Sequence, residues 1–117
     1  MENGKVYNLE QRTLKFAQNV RDFIKEVPKT LSNLEYSKQL IRSSGSIGAN
    51  YIEANEAISK KDLSLRIKIS RKESKESMFW LELIENPSKN HKREELVKES
   101  VELAKIFSAI KRKLINN

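Results

Sequence analysis

Residues 39–57, Gln-Leu-Ile-Arg-Ser-Ser-Gly-Ser-Ile-Gly-Ala-Asn-Tyr-Ile-Glu-Ala-Asn-Glu-Ala, combine helical apolar spacing with five Gly or Ser residues at the centre. Leu40, Ser44, Ile47, Tyr51, Ala54 and Ile58 recur at intervals of three and four, so they share one stripe of an α-helix. Two glycines inside a helix cost about 1 kcal/mol each relative to Ala. Gly45 and Gly48 therefore need compensation, and close approach of a second helix supplies it. Ser43, Ser44, Gly45, Gly48 and Ala49 leave a groove where larger side chains would hold a partner helix away.

The remaining sequence agrees with a helical chain. At 117 residues, with three Gly and two Pro and 33% charged residues, it suits one all-α domain with few turns. No cysteine is present, which excludes disulfides and thiolate metal sites. The opening Met-Glu-Asn-Gly-Lys-Val-Tyr-Asn lacks the apolar run of a signal peptide, and no later stretch has the length of a membrane span, so a cytoplasmic protein is expected.

Four amphipathic segments follow one another. Residues 1–8 have no period and are expected to fray, leaving 9–117 as the folded domain. The first helix carries Leu9, Thr13, Phe16, Val20, Phe23 or Ile24, and Val27 on one face and should stop at Val27, because Pro28 disfavours helical geometry in the residue before it. Ser32-Asn-Leu-Glu35 fits a capping box, with Leu31 and Tyr36 as its hydrophobic staple, so the second helix is expected over 33–58, about 39 Å at 1.5 Å per residue. Ser59 and Asp62 open a third helix that runs to about Glu85, where Asn86-Pro87 breaks it. Its stripe, Leu63, Ile67, Ser70, Ser74, Ser77, Leu81 and Ile84, is small in the middle like that of helix two, which predicts a close antiparallel pair. A fourth helix over 92–115 carries Leu96, Ser100, Leu103, Phe107, Ile110 and Leu114. Short connections between such helices predict an antiparallel up-down-up-down four-helix bundle.

Met78-Phe79-Trp80-Leu81-Glu82-Leu83-Ile84 is apolar at six of seven positions, so helix three presents large side chains around its circumference. Leu81 and Ile84 face the core. Ile69, Trp80 and Leu83 form a second apolar face, the candidate oligomer interface. The competing reading makes Trp80 the end of the core.

Linked motifs then carry a likeness. Arg42-Ser-Ser-Gly-Ser-Ile-Gly-Ala-Asn50, Glu53-Ala-Asn-Glu-Ala57, Ser59-Lys-Lys-Asp-Leu63 and Ile67-Lys-Ile-Ser-Arg-Lys-Glu-Ser-Lys-Glu-Ser-Met-Phe-Trp-Leu-Glu-Leu83 resemble the four-helix-bundle proteins of the 23S rRNA-intervening-sequence family. The resemblance implies a ring-shaped homopentamer and an association with RNA or with RNA-handling proteins. Carried across residue by residue, it places a recurrent polar set on Arg42, Ser46, Asn50, Glu53, Glu73 and Glu76, with Trp80 beside them. Ser70 and Ser74 stand where the family suggests Ala, and Tyr51 where it suggests Ile.

Catalytic chemistry finds little support. Gly45-Ser-Ile-Gly48 matches the Gly-x-x-Gly of KH domains, but that loop belongs to a mixed α/β fold. A phosphate-cradling P-loop is excluded by the missing Gly-Lys-Ser/Thr ending. Glu53/Glu56 and Glu73/Glu76 are spaced three apart as in di-metal bundles, yet such sites need Glu-x-x-His on two helices, and the only histidine, His91, lies in a connection. Ion pairs with Arg42 or nearby lysines are the expected task of these acids. No catalytic residue, metal or cofactor is assigned, and a non-enzyme is expected.

Charge is the remaining signal. Between Lys60 and Lys75 seven basic residues stand against Asp62 and Glu73, a net of +5 out of +7 for the chain. Lys61, Lys68, Arg71 with Lys72, and Lys75 form one continuous helical face that ring symmetry would multiply. No aromatic residue interleaves with them, so any RNA binding should be electrostatic and indifferent to base identity. A homo-oligomer that binds structured RNA, or an RNA-handling protein, is the expectation; a protein-interaction scaffold that never touches nucleic acid is the alternative.

Overall fold

The computed structural model describes residues 8–86 and 91–116. Four helices follow in order: α1 (Leu9–Ile24), α2 (Leu31–Asn55), α3 (Lys60–Leu83) and α4 (Lys92–Asn116). Consecutive helices pack side by side, α2 against α3 most extensively and α1 against α4 least, while the backbones of diagonal pairs stay apart. This is the up-down-up-down bundle that the four apolar stripes predict. Its single core contains Phe16, Val20 and Phe23 of α1, Leu40 and Ile47 of α2, Ile67 and Leu81 of α3, and Leu103 and Phe107 of α4. Tyr51, the departure from the family pattern, is half-buried and sets its ring 5.9 Å from that of Phe107, bridging the diagonal between α2 and α4.

Several boundaries differ from the expectation, each for a local reason. The Asn8 side chain accepts a hydrogen bond from the Gln11 amide at 3.1 Å, so the last residue of the segment expected to fray is the N-cap of α1; residues 1–7 lie outside those described. α1 ends at Ile24, not Val27: Glu26 N donates to Phe23 O and Val27 N to Ile24 O, a tightening of the last turn that still buries Val27.

The capping box at Ser32 does not form. Thr30 is the cap, accepting from Asn33 N at 3.1 Å, and Leu31 is 81% exposed, so it staples nothing. The reason is Asn33, which is required inside. Its Nδ2 donates to Pro28 O (2.9 Å) and Glu85 O (3.0 Å), and its Oδ1 accepts from Glu85 N (2.9 Å), tying the α1–α2 connection to the end of α3. α2 stops at Asn55, three residues before the expected end, which leaves Ile58 96% exposed and off the apolar stripe. Ser59 caps α3 as expected, accepting from Asp62 N at 3.0 Å. α3 ends at Leu83 as Ile84 turns to extended geometry; Pro87, the expected breaker, lies outside the described residues.

The small-residue seam divides differently from its expected form. A Cβ built on Gly48 would stand 2.7 Å from Thr13 Oγ1, so the close approach there is by α1. Gly45 meets nothing within 4 Å, and Ala49 is also exposed; both look outward. The α2–α3 contact is instead made by serines. Ser43 Oγ and Ser77 Oγ lie 2.9 Å apart, and Ser70 Oγ donates to Ile47 O at 2.9 Å. A hydroxyl that reaches a carbonyl of the neighbouring helix requires the closeness that alanine would also permit, and it adds a directional bond. That accounts for Ser70 at a position where Ala was the family expectation.

Candidate functional site

Of the predicted basic face, Lys61, Lys68, Lys72 and Lys75 are exposed and Arg71 is half-buried. Lys72 Nζ lies 3.9 Å from Glu73. Among the described residues, no carboxylate stands within ion-pair distance of Lys61, Lys68, Arg71 or Lys75. Their charge is therefore uncompensated. α4 adds cations that the sequence pattern alone did not single out: Lys105 and Arg112 line a crevice with Arg71 and Lys75. Lys111 reaches across to α3 and donates to Ser64 Oγ at 3.0 Å, spending its hydrogen bond on a hydroxyl instead of an acid. The signal for these was present as the seven-residue spacing of Lys105 and Arg112, but nothing in the sequence says that this side of α4 borders the basic side of α3.

The polar set lies along the outer α2–α3 seam. Arg42 Nη2 stands 3.3 Å from Glu73 Oε1 and 3.1 Å from Glu76 Oε1, with the Glu73 side chain 6% exposed and that of Arg42 52% exposed. A nearly buried carboxylate is tolerable only with such a partner. Farther along, Asn50 Nδ2 donates to Ser46 O (2.9 Å) and Ser46 Oγ (3.0 Å), and Asn50 Oδ1 accepts from Arg66 Nη1 at 3.1 Å. Arg66 Nε also approaches Asp62 at 3.8 Å. The structure thus joins Arg42 with Glu73 and Glu76, and Ser46 with Asn50. It adds Arg66, which sequence reasoning missed, and leaves Glu53 exposed, about one turn beyond Asn50 and three turns from Arg42. The acids at 73 and 76 do what was expected of them, pairing with Arg42 and, for Glu73, with Lys72. Among the described residues no group of three or more His, Cys, Asp or Glu could hold a metal ion.

The predicted second apolar face is mixed. Ile69 is half-buried and Leu83 is 38% exposed. Trp80 is half-buried and packs against the core, its ring 6.1 Å from Tyr36, and its buried Nε1 has no hydrogen-bond partner among the described residues. The outward aromatic is Phe79, 55% exposed and set edge-on to Trp80 at 5.1 Å, in line with exposed Leu65. One residue on a helix is a rotation of 100°, and in a segment apolar all round that phase cannot be read from hydrophobicity. The structure also brings Phe79 beside Lys68, Lys72 and Lys75 in one crevice, so the basic face does have an aromatic neighbour.

No described helix is long and apolar enough to cross a membrane. Comparison with known proteins agrees with the architecture. A crystal structure of a protein of unknown function from the S23 ribosomal protein family of Bacteroides thetaiotaomicron is similar, with a TM-score of 0.74 and 30% identity over 87% of this chain and 96% of that one. Among curated proteins nothing matches. The sequence profile of the 23S rRNA-intervening sequence protein matches residues 5–110, nearly the whole bundle, and on that match the chain belongs to the 23S rRNA-intervening sequence protein family.

Proposed function

We propose that this protein is a homo-oligomeric, pentameric bundle of the cytoplasm, without catalytic activity, that binds structured RNA or an RNA-handling partner electrostatically through the basic face of α3. The observation that carries the proposal is the uncompensated charge of Lys61, Lys68, Arg71 and Lys75 on one side of one helix, with Lys105, Lys111 and Arg112 of α4 alongside. Some cations elsewhere in the fold are held by acids, as Arg12 is by Glu99 and Arg42 by Glu73, and beside the patch Lys105 lies 3.5 Å from Glu102. Charges left unpaired on a surface attract polyanions by releasing condensed counterions, and cyclic symmetry would repeat the patch around a ring. The family name fits an RNA context. A non-catalytic role is in keeping with the single histidine, which is exposed and, among the described residues, stands 3.9 Å from Glu94.

The test is a titration with structured RNA at about 50 mM salt, the low end of the range where phosphate contacts are strong. Affinity should fall steeply as salt rises, and combined Lys68→Glu, Arg71→Glu and Lys75→Glu should abolish binding while helical content and particle mass stay unchanged. Light scattering should give a mass several times the 13.6 kDa chain, reduced by substitution on the exposed part of the apolar face, Leu83→Ala. Exposed Leu65, Phe79 and Leu83 favour the competing role of a protein-interaction scaffold. That role takes precedence if wild type binds no RNA at low salt.

A further inference from the structure

Part of the basic surface is concave. Arg71 and Lys75 of α3 and Lys105 and Arg112 of α4 form the two walls of a crevice of about 380 Å³ between these helices, floored by Met78, Val101 and Ala104. Among the described residues no carboxylate lines it, though Glu102, outside the lining, lies 3.5 Å from Lys105 Nζ. Arg71 and Lys75 also border the crevice that contains Phe79, and Lys68 joins that crevice to a third one formed with Lys60, Lys61 and Lys111. The first and third lie between α3 and α4, and the second adjoins them on the outer face of α3, where Phe79 stands beside Lys72, Lys75 and Glu76. Phe79 is four residues from Lys75, so the ring and the ammonium are neighbours on the helix.

The geometry points to an unpaired RNA strand as the occupant, its sugar-phosphate backbone lying in the α3–α4 groove and one base stacked on Phe79. This inference rests on the RNA reading proposed above and refines it. Adjacent packed helices stand roughly 8–10 Å apart. A crevice between them accepts a single backbone, whereas an A-form duplex carries its phosphates on the outside of a far wider cylinder. Arg71, Lys75 and Lys68 recur every three or four residues, roughly 5–6 Å along the axis, and so meet successive phosphates of an extended strand. The apolar floor and the ring face have no use for duplex bases, which are already stacked on one another, but they do bind splayed single-stranded bases.

The experiment is a fluorescence-anisotropy titration of the full chain with an unstructured RNA of about 12 nucleotides, inside the ~4–16 nucleotides such grooves hold, and with a duplex of the same length. The single strand should bind at least about fivefold tighter, the contribution of one stacked base. Phe79→Leu, which keeps an apolar side chain but no ring, should lose that margin without changing the salt dependence, and Phe79→Trp should retain it. Lys105→Gln with Arg112→Gln should flatten the salt dependence, because these side chains touch RNA only if it lies in the groove. Circular dichroism and light scattering on each variant separate loss of contact from loss of fold. Equal or tighter binding of the duplex, or a Phe79→Leu variant that binds like wild type, overturns the single-strand inference and leaves electrostatic RNA binding standing. Absence of binding to either RNA overturns both.

Discussion

The two glycines of α2 have opposite surroundings, and substituting each with alanine should move stability in opposite directions. In a helix interior Ala is favoured over Gly by about 1 kcal/mol. At Gly45 nothing stands within 4 Å of the new methyl group, so Gly45→Ala should gain most of that amount. At Gly48 the methyl carbon would lie 2.7 Å from Thr13 Oγ1 and 3.2 Å from Thr13 Cβ. The hydroxyl cannot easily move away, since Thr13 is buried, β-branched, and bonded through Oγ1 to Leu9 O and Glu10 O at 2.9 Å each. Overpacking of this kind costs about 1–3 kcal/mol, so Gly48→Ala should be destabilising by up to about 2 kcal/mol after its helix gain is counted.

Thermal and urea denaturation followed by circular dichroism, at one fixed protein concentration because association shifts the midpoint, gives the values. A change of 1 kcal/mol corresponds to a Tm shift of about 4 °C in a chain of this size. Thr13→Ala removes the oxygen behind the 2.7 Å contact, so the double variant should lose less than the sum of the singles, by at least about 0.5 kcal/mol. If Gly48→Ala melts above wild type, or if Gly45→Ala melts below it, the assignment of one glycine to packing and the other to open surface is refuted.

Asn33→Ala deletes three hydrogen bonds and leaves Pro28 O, Glu85 O and Glu85 N without their partner, so urea unfolding should show a loss of about 2–4 kcal/mol, with hydrogen exchange rising first at Glu85. Ser43→Ala strands the Ser77 hydroxyl and should cost about 1 kcal/mol, whereas Ser77→Ala should cost less, because Ser43 Oγ keeps a bond to Leu40 O at 3.3 Å; equal effects would contradict the seam geometry. Raising salt from about 50 to 200 mM should stabilise the bundle by about 1 kcal/mol while weakening RNA binding, since like charges on α3 and α4 are screened over roughly 10 Å. A Tm that falls with salt would mean the cations are paired in solution.

What the sequence made legible was the part governed by periodicity. Phe16, Leu40, Ile67 and Leu103 sit at spacings only a helix can place on one face, and those faces meet in the core. Ser59 with Asp62 was readable as a cap because no rival pattern stood nearby. At the start of α2 two patterns competed, Thr30 with Asn33 and Ser32 with Glu35, and the choice was made by Glu85, fifty-two residues away, which needs Asn33 inside. Long-range bonds of that kind leave no local trace. Angular phase was the second obscure quantity. Gly45 and Gly48 differ by 300° around the helix, Phe79 and Trp80 by 100°, and in stretches uniformly small or uniformly apolar nothing marks which of each pair faces in. The α4 cations were hidden for a third reason, since a side of α4 becomes part of the basic surface only through which side of α3 it packs against.

The same packing explains how unpaired cations persist on a helix that also carries acids. Within α3, Glu76 is four residues from Lys72, so an isolated helix could pair these two charges internally. In the bundle Arg42 comes in from α2 and engages Glu73 and Glu76, at 3.3 Å and 3.1 Å, on the side away from α4. Arg66 and Asp62 pair on that same side. Carboxylates are thereby drawn toward α2, and Lys68, Arg71 and Lys75 are left facing the α4 side without partners. α3 is split lengthwise into a neutralised edge that holds the fold and a cationic edge that borders Lys105 and Arg112. Because Glu73 is almost completely buried, Arg42 cannot leave it without exposing the cost of a desolvated charge. Burial of Glu73 thus anchors Arg42 at the α2 edge of α3, while Lys68, Arg71 and Lys75 lie on the other side of the helix.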